Sequence, residues 1–149
     1  AKQAQLAWQK LPAVERGHWL LKIVDALKAN PSTADTPVIL FTKGGGGWMQ
    51  QIADSGCAGM GLDWSVNLAD ARQKLNDRVT LQGNMDPAVL RAGPVAIENE
   101  VKRILASYGQ HTENSGHIFN LGHGITPDID PENVQVLVES VVGHSPQYH

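Results

Sequence analysis

The chain is poor in cysteine, in positive charge and in long apolar runs. Cys57 is its single cysteine among 149 residues, so no internal disulfide can form and a reducing, cytoplasmic setting is expected. Acidic residues outnumber basic ones by 15 to 12, giving a formal net charge of −3 and a pI near 6.0. Such a surface offers no attraction to nucleic acid or to anionic membrane, and neither partner is expected. The apolar runs fall far short of the roughly 20 residues a membrane span needs. Lys2, Gln3, Gln5, Gln9 and Lys10 interrupt any secretory h-region at the start.

Several sequence motifs are missing as well. No G-x-x-x-x-G-K-[ST] or G-x-G-x-x-G occurs around Gly44–Gly47, which excludes a P-loop or a dinucleotide fingerprint there. No H-E-x-x-H stands in the chain and no Cys/His pair has ligand spacing, so a metal role is weakly supported. The lack of a G-x-S-x-G elbow removes a Ser-His-Asp hydrolase.

What remains is an alternation of strands and helices in a chain long enough for one domain with a sizeable core. Leu20, Ile23, Val24 and Leu27 recur at helical spacing, which predicts a helix over 17–29 stopped by Asn30-Pro31-Ser32-Thr33. Residues 37–42, 58–62, 79–82 and 118–121 are short apolar runs of the kind that form buried parallel strands. Helices are expected at 48–55, from Asn67 to Leu75, after Pro94 (apolar face Ile97, Val101, Ile104, Leu105) and after Asp130-Pro131 (apolar face Val134, Leu137, Val138, Val141). Gly83-Asn84 is expected to close the third strand, and 109–115 reads as a polar loop. Four strands alternating with helices imply a parallel α/β sheet. A doubly wound sheet and half of a (β/α)₈ barrel both fit the length.

In either architecture chemistry sits just past the C-terminal ends of the strands. Lys43 with Gly44–Gly47 reads as a strand-to-helix connection that brings backbone near a ligand. Asp63 reads equally as a site carboxylate or as a loop cap, and Trp64 as packing between layers. Asp86 before Pro87 suits a helix cap; Asn84 is either a turn residue or a hydrogen bonder in the site. His123 is the strongest candidate. It follows a buried strand between Gly122 and Gly124, glycines expected to let the backbone turn and a ligand approach, and a histidine exchanges a proton near neutral pH. Asn120 lies beside it. His117 and His111 make no ligand set, His18, His144 and His149 read as surface or terminal residues, and Cys57 reads as a small core residue.

Four strand-end strings then resemble one family. Pro37-Val38-Ile39-Leu40-Phe41-Thr42-Lys43-Gly44, Gly61-Leu62-Asp63-Trp64, Leu81-Gln82-Gly83-Asn84-Met85-Asp86-Pro87 and Phe119-Asn120-Leu121-Gly122-His123-Gly124-Ile125 look like uroporphyrinogen decarboxylase, in its order and spacing, from about Trp19 to about His144. The resemblance implies an α/β fold, the C-terminal half of a (β/α)₈ TIM barrel. Residues 18–149 would form that half, preceded by a divergent, helical segment 1–17. It implies cofactor-free removal of carboxyl groups from the four acetate side chains of uroporphyrinogen III, giving coproporphyrinogen III, with no metal and with His123 as the catalytic and substrate-binding residue. A half barrel leaves two sheet edges and one face uncovered, so a homodimer or other self-association is expected. The family's arginine-bearing segment, catalytic aspartate, tyrosine and serine or threonine belong to the other half, so the isolated chain is expected to lack appreciable activity. Two alternatives stay open: a non-catalytic, self-associating half barrel, and a methyltransferase relative of the same superfamily, which would need a His/Cys zinc set.

Overall fold

The computed structural model describes residues 2–30 and 35–149, in two compact units, Ala1–Val38 and Ile39–His149. The first unit contains α1 (Lys2–Lys10) and α2 (Ala13–Ala29). Helix α2 starts four residues before the predicted position because nothing between Ala13 and Arg16 breaks a helix; the first interruption upstream is Pro12, held extended at ψ 152°. Its expected apolar face is only partly covered: Val24 is buried, but Ile23 and Leu27 remain exposed. The Leu20 side chain and the predicted stop at Pro31–Thr33 lie outside the described residues.

The second unit is built on a four-stranded parallel sheet of β1 (Ile39–Phe41), β2 (Gly59–Gly61), β3 (Thr80–Met85) and β4 (His117–Leu121). Helices α3 (Met49–Asp54), α4 (Leu68–Leu75) and α5 (Pro94–Tyr108) connect successive strands, and α6 (Pro131–His144) follows β4. The spatial order is β1-β2-β3-β4, with no reversal. A doubly wound sheet reverses its strand order at a switch point, whereas a barrel runs in sequence. The order therefore decides between the two candidate architectures: this is half of a (β/α)₈ barrel.

Local chemistry sets the element boundaries. Asn67 accepts a hydrogen bond from Asp70 N–H at 3.1 Å, Asp86 from Ala88 N–H at 2.9 Å and Asp130 from Glu132 N–H at 3.0 Å, so all three expected caps form. Strand β3 runs past its expected end, because Gly83, Asn84 and Met85 pair with Phe119, Asn120 and Leu121. Gly83 is thus a strand residue rather than a terminator. Its φ of +137° and a Cβ position only 2.5 Å from the Leu62 carbonyl oxygen leave room for glycine alone.

The two faces of the sheet differ sharply. Met60, Leu81 and Met85 are fully buried with Leu68 and Leu75 of α4 and Ile97, Val101 and Ile104 of α5. Each such side chain contributes about 1.5–3 kcal/mol by leaving water. On the opposite face Ile39, Phe41 and Ile118 stay 40%, 49% and 41% exposed. In α6 Leu137 is buried with Val134 and Val141 partly buried beside it; Val138, expected on that face, is exposed because it flanks this stripe one position around the helix.

His117 lies on the helix-covered side. Its ring stacks on Tyr108 at 4.7 Å, and its Nε2–H donates to the Gly83 carbonyl at 2.7 Å. Burial pushes its pKa down, against a weaker upward pull from that carbonyl. An unfolded histidine takes up a proton near pH 6.5 that folded His117 still refuses, so its contribution is complete above about pH 6.5 and is lost as pH falls below it. In urea titrations at pH 7.5 and 5.5 the wild-type chain should lose stability at the lower pH, and His117→Gln should lose less. Equal losses in both proteins would contradict this.

Candidate active site

Strand register places one residue from each strand on the uncovered face. Phe41 pairs with Gly61, Gly61 with Gln82, and Asn84 with Asn120, so Phe41, Gly61, Gln82 and Asn120 share parity. Together with Leu62, Leu121, His123 and Gly124 they line a cleft of about 290 Å³ at the C-terminal ends of the strands. His123 stands at its mouth, exposed to solvent, between two aromatic rings. Phe41 and Trp64 each present an edge-on contact with ring centroids 6.5 Å away. Trp64, expected to pack between layers, is instead 40% exposed beside His123. The turn after β2 carries it to the strand-end surface rather than under the helices.

The glycines flanking His123 do different work from the symmetrical role expected of them. Neither Gly122 nor Gly124 has a positive φ. A Cβ on Gly122 would sit 2.7 Å from Trp64 N and 3.0 Å from the Asp63 Cα, whereas a Cβ on Gly124 would meet nothing within 4 Å. Gly122 is therefore a contact between the exits of β4 and β2, reinforced by its N–H bonding to the Met85 carbonyl at 2.7 Å. That contact holds Trp64 against His123.

Asp63 is buried and its carboxylate is fully engaged. It accepts from the Gly44 N–H, from Ser65 N–H at 2.9 Å and from the Ser65 hydroxyl at 2.5 Å. Burial alone would raise its pKa, but these hydrogen bonds, with the nearby Lys43 charge, outweigh it and hold the group below the usual carboxylate range. Of its two open readings, the structure selects the cap: Asp63 ties the glycine loop after β1 to the turn after β2. Asn84 is also structural, donating through Nδ2 to the Asp63 and Val66 carbonyls at 2.8 and 2.5 Å. Asp86 caps the turn Pro87–Arg91. Asn120 lines the cleft while its Oδ1 accepts from Leu121 N–H at 2.8 Å. Lys43 extends its Nζ over the Trp64 ring, 5.2 Å from the centroid.

Within Ile39–His149 the other histidines do not line this cleft. His111 Nδ1 bonds to the Tyr148 carbonyl at 3.1 Å, and His144 is half-buried against Glu98 at 3.1 Å rather than at an open surface. Cys57 is buried, as a small core residue would be. Phe41 and Gln82 were missed as cleft residues. The signal was present in β3, where Thr80, Gln82 and Asn84 alternate with Leu81, Gly83 and Met85; that period of two marks a polar inward face.

Gly122→Ala should therefore cost about 1–3 kcal/mol in thermal or urea unfolding through overpacking against the β2 exit. Gly124→Ala should stay within about 0.5 kcal/mol. A neutral Gly122→Ala would show that the two strand exits do not need this close approach.

Comparison with known proteins fits this geometry. The profile of the uroporphyrinogen decarboxylase family matches residues 17–144. The chain is 52% identical over 132 residues to the uroporphyrinogen decarboxylase of Hydrogenovibrio crunogenus, covering 89% of this chain and 36% of that protein. To the enzyme of Alcanivorax borkumensis it is 55% identical over 124 residues, covering 83% and 34%. The chain thus spans about a third of the length of the curated relatives it matches. A solved methyltransferase from Methanosarcina mazei superposes on 75% of the chain and 32% of its own length, with a TM-score of 0.60 and 21% identity, a likeness of fold. A sequential parallel half barrel with a strand-end cleft, matched at this identity across most of its length, belongs to the uroporphyrinogen decarboxylase family.

Proposed function

We propose that this chain supplies the C-terminal half of a uroporphyrinogen decarboxylase site, roughly strands five to eight of the barrel. In this assignment residues 18–149 are the barrel half and 1–17 a preceding segment. The observation that carries the reading is the cleft at the ends of β1 to β4, with His123 at its mouth and one side uncovered. The substrate would be uroporphyrinogen III and the product coproporphyrinogen III, in the cytoplasm, with no metal or organic cofactor.

The chemistry needs little beyond placement and proton management. Protonation of a pyrrole ring makes it an electron sink, so the C–C bond to an acetate carboxylate breaks and CO₂ leaves. A second proton converts the remaining methylene carbon to a methyl group, and the ring gives up its first. His123 faces the open cleft, where it hydrogen-bonds a substrate carboxylate or passes a proton. Phe41 and Trp64 fix the imidazole from two sides. A substrate with eight carboxylates also needs cations. The described half offers few at the strand ends: Arg91 is committed to Asp128 at 2.8 Å and to Thr126, leaving Lys43.

The chain alone should show no turnover of uroporphyrinogen III. Adding the separately expressed N-terminal portion of a relative such as the Hydrogenovibrio crunogenus enzyme should restore decarboxylation. In that mixture His123→Ala should lower the rate by about 10²-fold or more, the scale of a positioned proton-transfer group. Turnover by the chain alone, or an undiminished His123→Ala mixture, would count against the assignment.

The exposed face favours a second reading, a self-associating half barrel. Ile39, Phe41 and Ile118 are uncovered, and β1 and β4 are sheet edges. Sizing chromatography should then give a homodimer or larger species; a monomer at high concentration would oppose it.

A further inference from the structure

Lys43 is the strand-end cation that the proposed chemistry does not yet use. It lies in the turn two residues beyond Phe41, which ends β1 and forms one wall of the cleft. Its Nζ sits 5.2 Å from the centroid of Trp64, the ring that contacts His123 edge-on at 6.5 Å. A lysine over an indole is held by the ring's negative face while its ammonium protons remain directed to solvent. Among the described residues Lys43 makes no ion pair, unlike Arg91, Arg72, Arg78 and Arg103. The nearest acidic influence on it is Asp63, whose carboxylate is already occupied by Gly44 and Ser65. Lys43 is therefore an uncommitted positive charge held at one end of an aromatic bridge whose other end is the candidate proton carrier.

We propose that Lys43 is a substrate-specificity residue: it binds a second carboxylate of a polycarboxylate tetrapyrrole while His123 engages the reacting one. Trp64 sets the distance between the two. Because the neighbours of a reacting acetate are themselves acetate and propionate groups, a fixed cation beside His123 discriminates by the number and position of carboxylates. Uncharged methyl groups, which replace acetates as the reaction proceeds, give Lys43 nothing to bind. The proposal rests on the tetrapyrrole reading of the site.

The test uses the full chain and two stable oxidised probes, uroporphyrin with eight carboxylates and coproporphyrin with four, followed by quenching of tryptophan fluorescence. The wild-type chain should bind uroporphyrin more tightly than coproporphyrin by about tenfold, the scale of one charge-assisted hydrogen bond. The preference should shrink as salt is raised. Lys43→Met should abolish most of the preference while leaving coproporphyrin affinity within about twofold, and Lys43→Arg should restore it. Trp64→Phe, which weakens the platform without removing the charge, should give an intermediate preference. Unfolding curves matching wild type would confirm that these surface changes leave the fold intact. An undiminished preference in Lys43→Met overturns this proposal while leaving the tetrapyrrole reading standing. Failure of the wild-type chain to bind either porphyrin overturns both.

Discussion

Everything at the strand-end surface depends on how the chain leaves β2. Three neighbours close on residues 62–66 within a few ångströms. From β1, the Gly44 N–H binds the Asp63 carboxylate. From β3, Gly83 brings its backbone against the Leu62 carbonyl, and Asn84 donates to the carbonyls of Asp63 and Val66. From β4, Gly122 presses on Asp63 and Trp64. Two of these contacts admit no Cβ, and the others satisfy buried polar groups that would otherwise cost about 1–3 kcal/mol each. The turn after β2 has little freedom left, which is why a tryptophan only three residues past a three-residue strand can hold a defined place.

That rigidity passes directly to the chemistry. Trp64 and Phe41 flank His123 from two strands, and Lys43 rests on Trp64. Their arrangement follows from strand register and from the β2 exit. A site built this way is preorganised on the described side even without substrate. Asp63 is the hidden support. In the sequence its carboxylate reads equally as a site group or a cap, yet its lowered pKa reflects one hydrogen bond from Gly44 of the glycine loop and two from Ser65.

The sequence revealed much of this because the signals were local. Caps at Asn67, Asp86 and Asp130 are written in the residue types and their spacing. The core face of α5 follows from one helical period. What escaped was non-local. Nothing in the neighbourhood of Asp63 says that its partner is Gly44, nineteen residues away. Gly83 reads as a terminator until β4 pairs with it. The asymmetry of Gly122 and Gly124 arises from contact with another strand exit, which no window of sequence contains. The strand-end position of His123 was legible, because it follows a short apolar run; the rings that flank it were not, and the run itself forms a half-exposed edge strand rather than the buried one expected.

The two faces of the sheet show what kind of object the second unit is. Its helix side is finished: Met60, Leu81, Met85, Ile97 and Val101 are fully buried. The face a closed barrel would turn inward is unfinished, with Ile39, Phe41 and Ile118 open to solvent and β1 and β4 as edges. The forces that shape the strand-end surface therefore come from outside the barrel and from between the strand exits, and not from the barrel interior. In a full barrel, layers of side chains from alternate strands fill that interior. Here Gly59 and Gly61 on β2 leave space that Ile39 and Phe41 partly occupy, with Cβ approaches of 3.2 and 2.9 Å. Phe41 is thus both the inward packing residue of β1 and one wall of the cleft. Closing the interior against it would confine His123 as well, so barrel closure and completion of the site are one physical event.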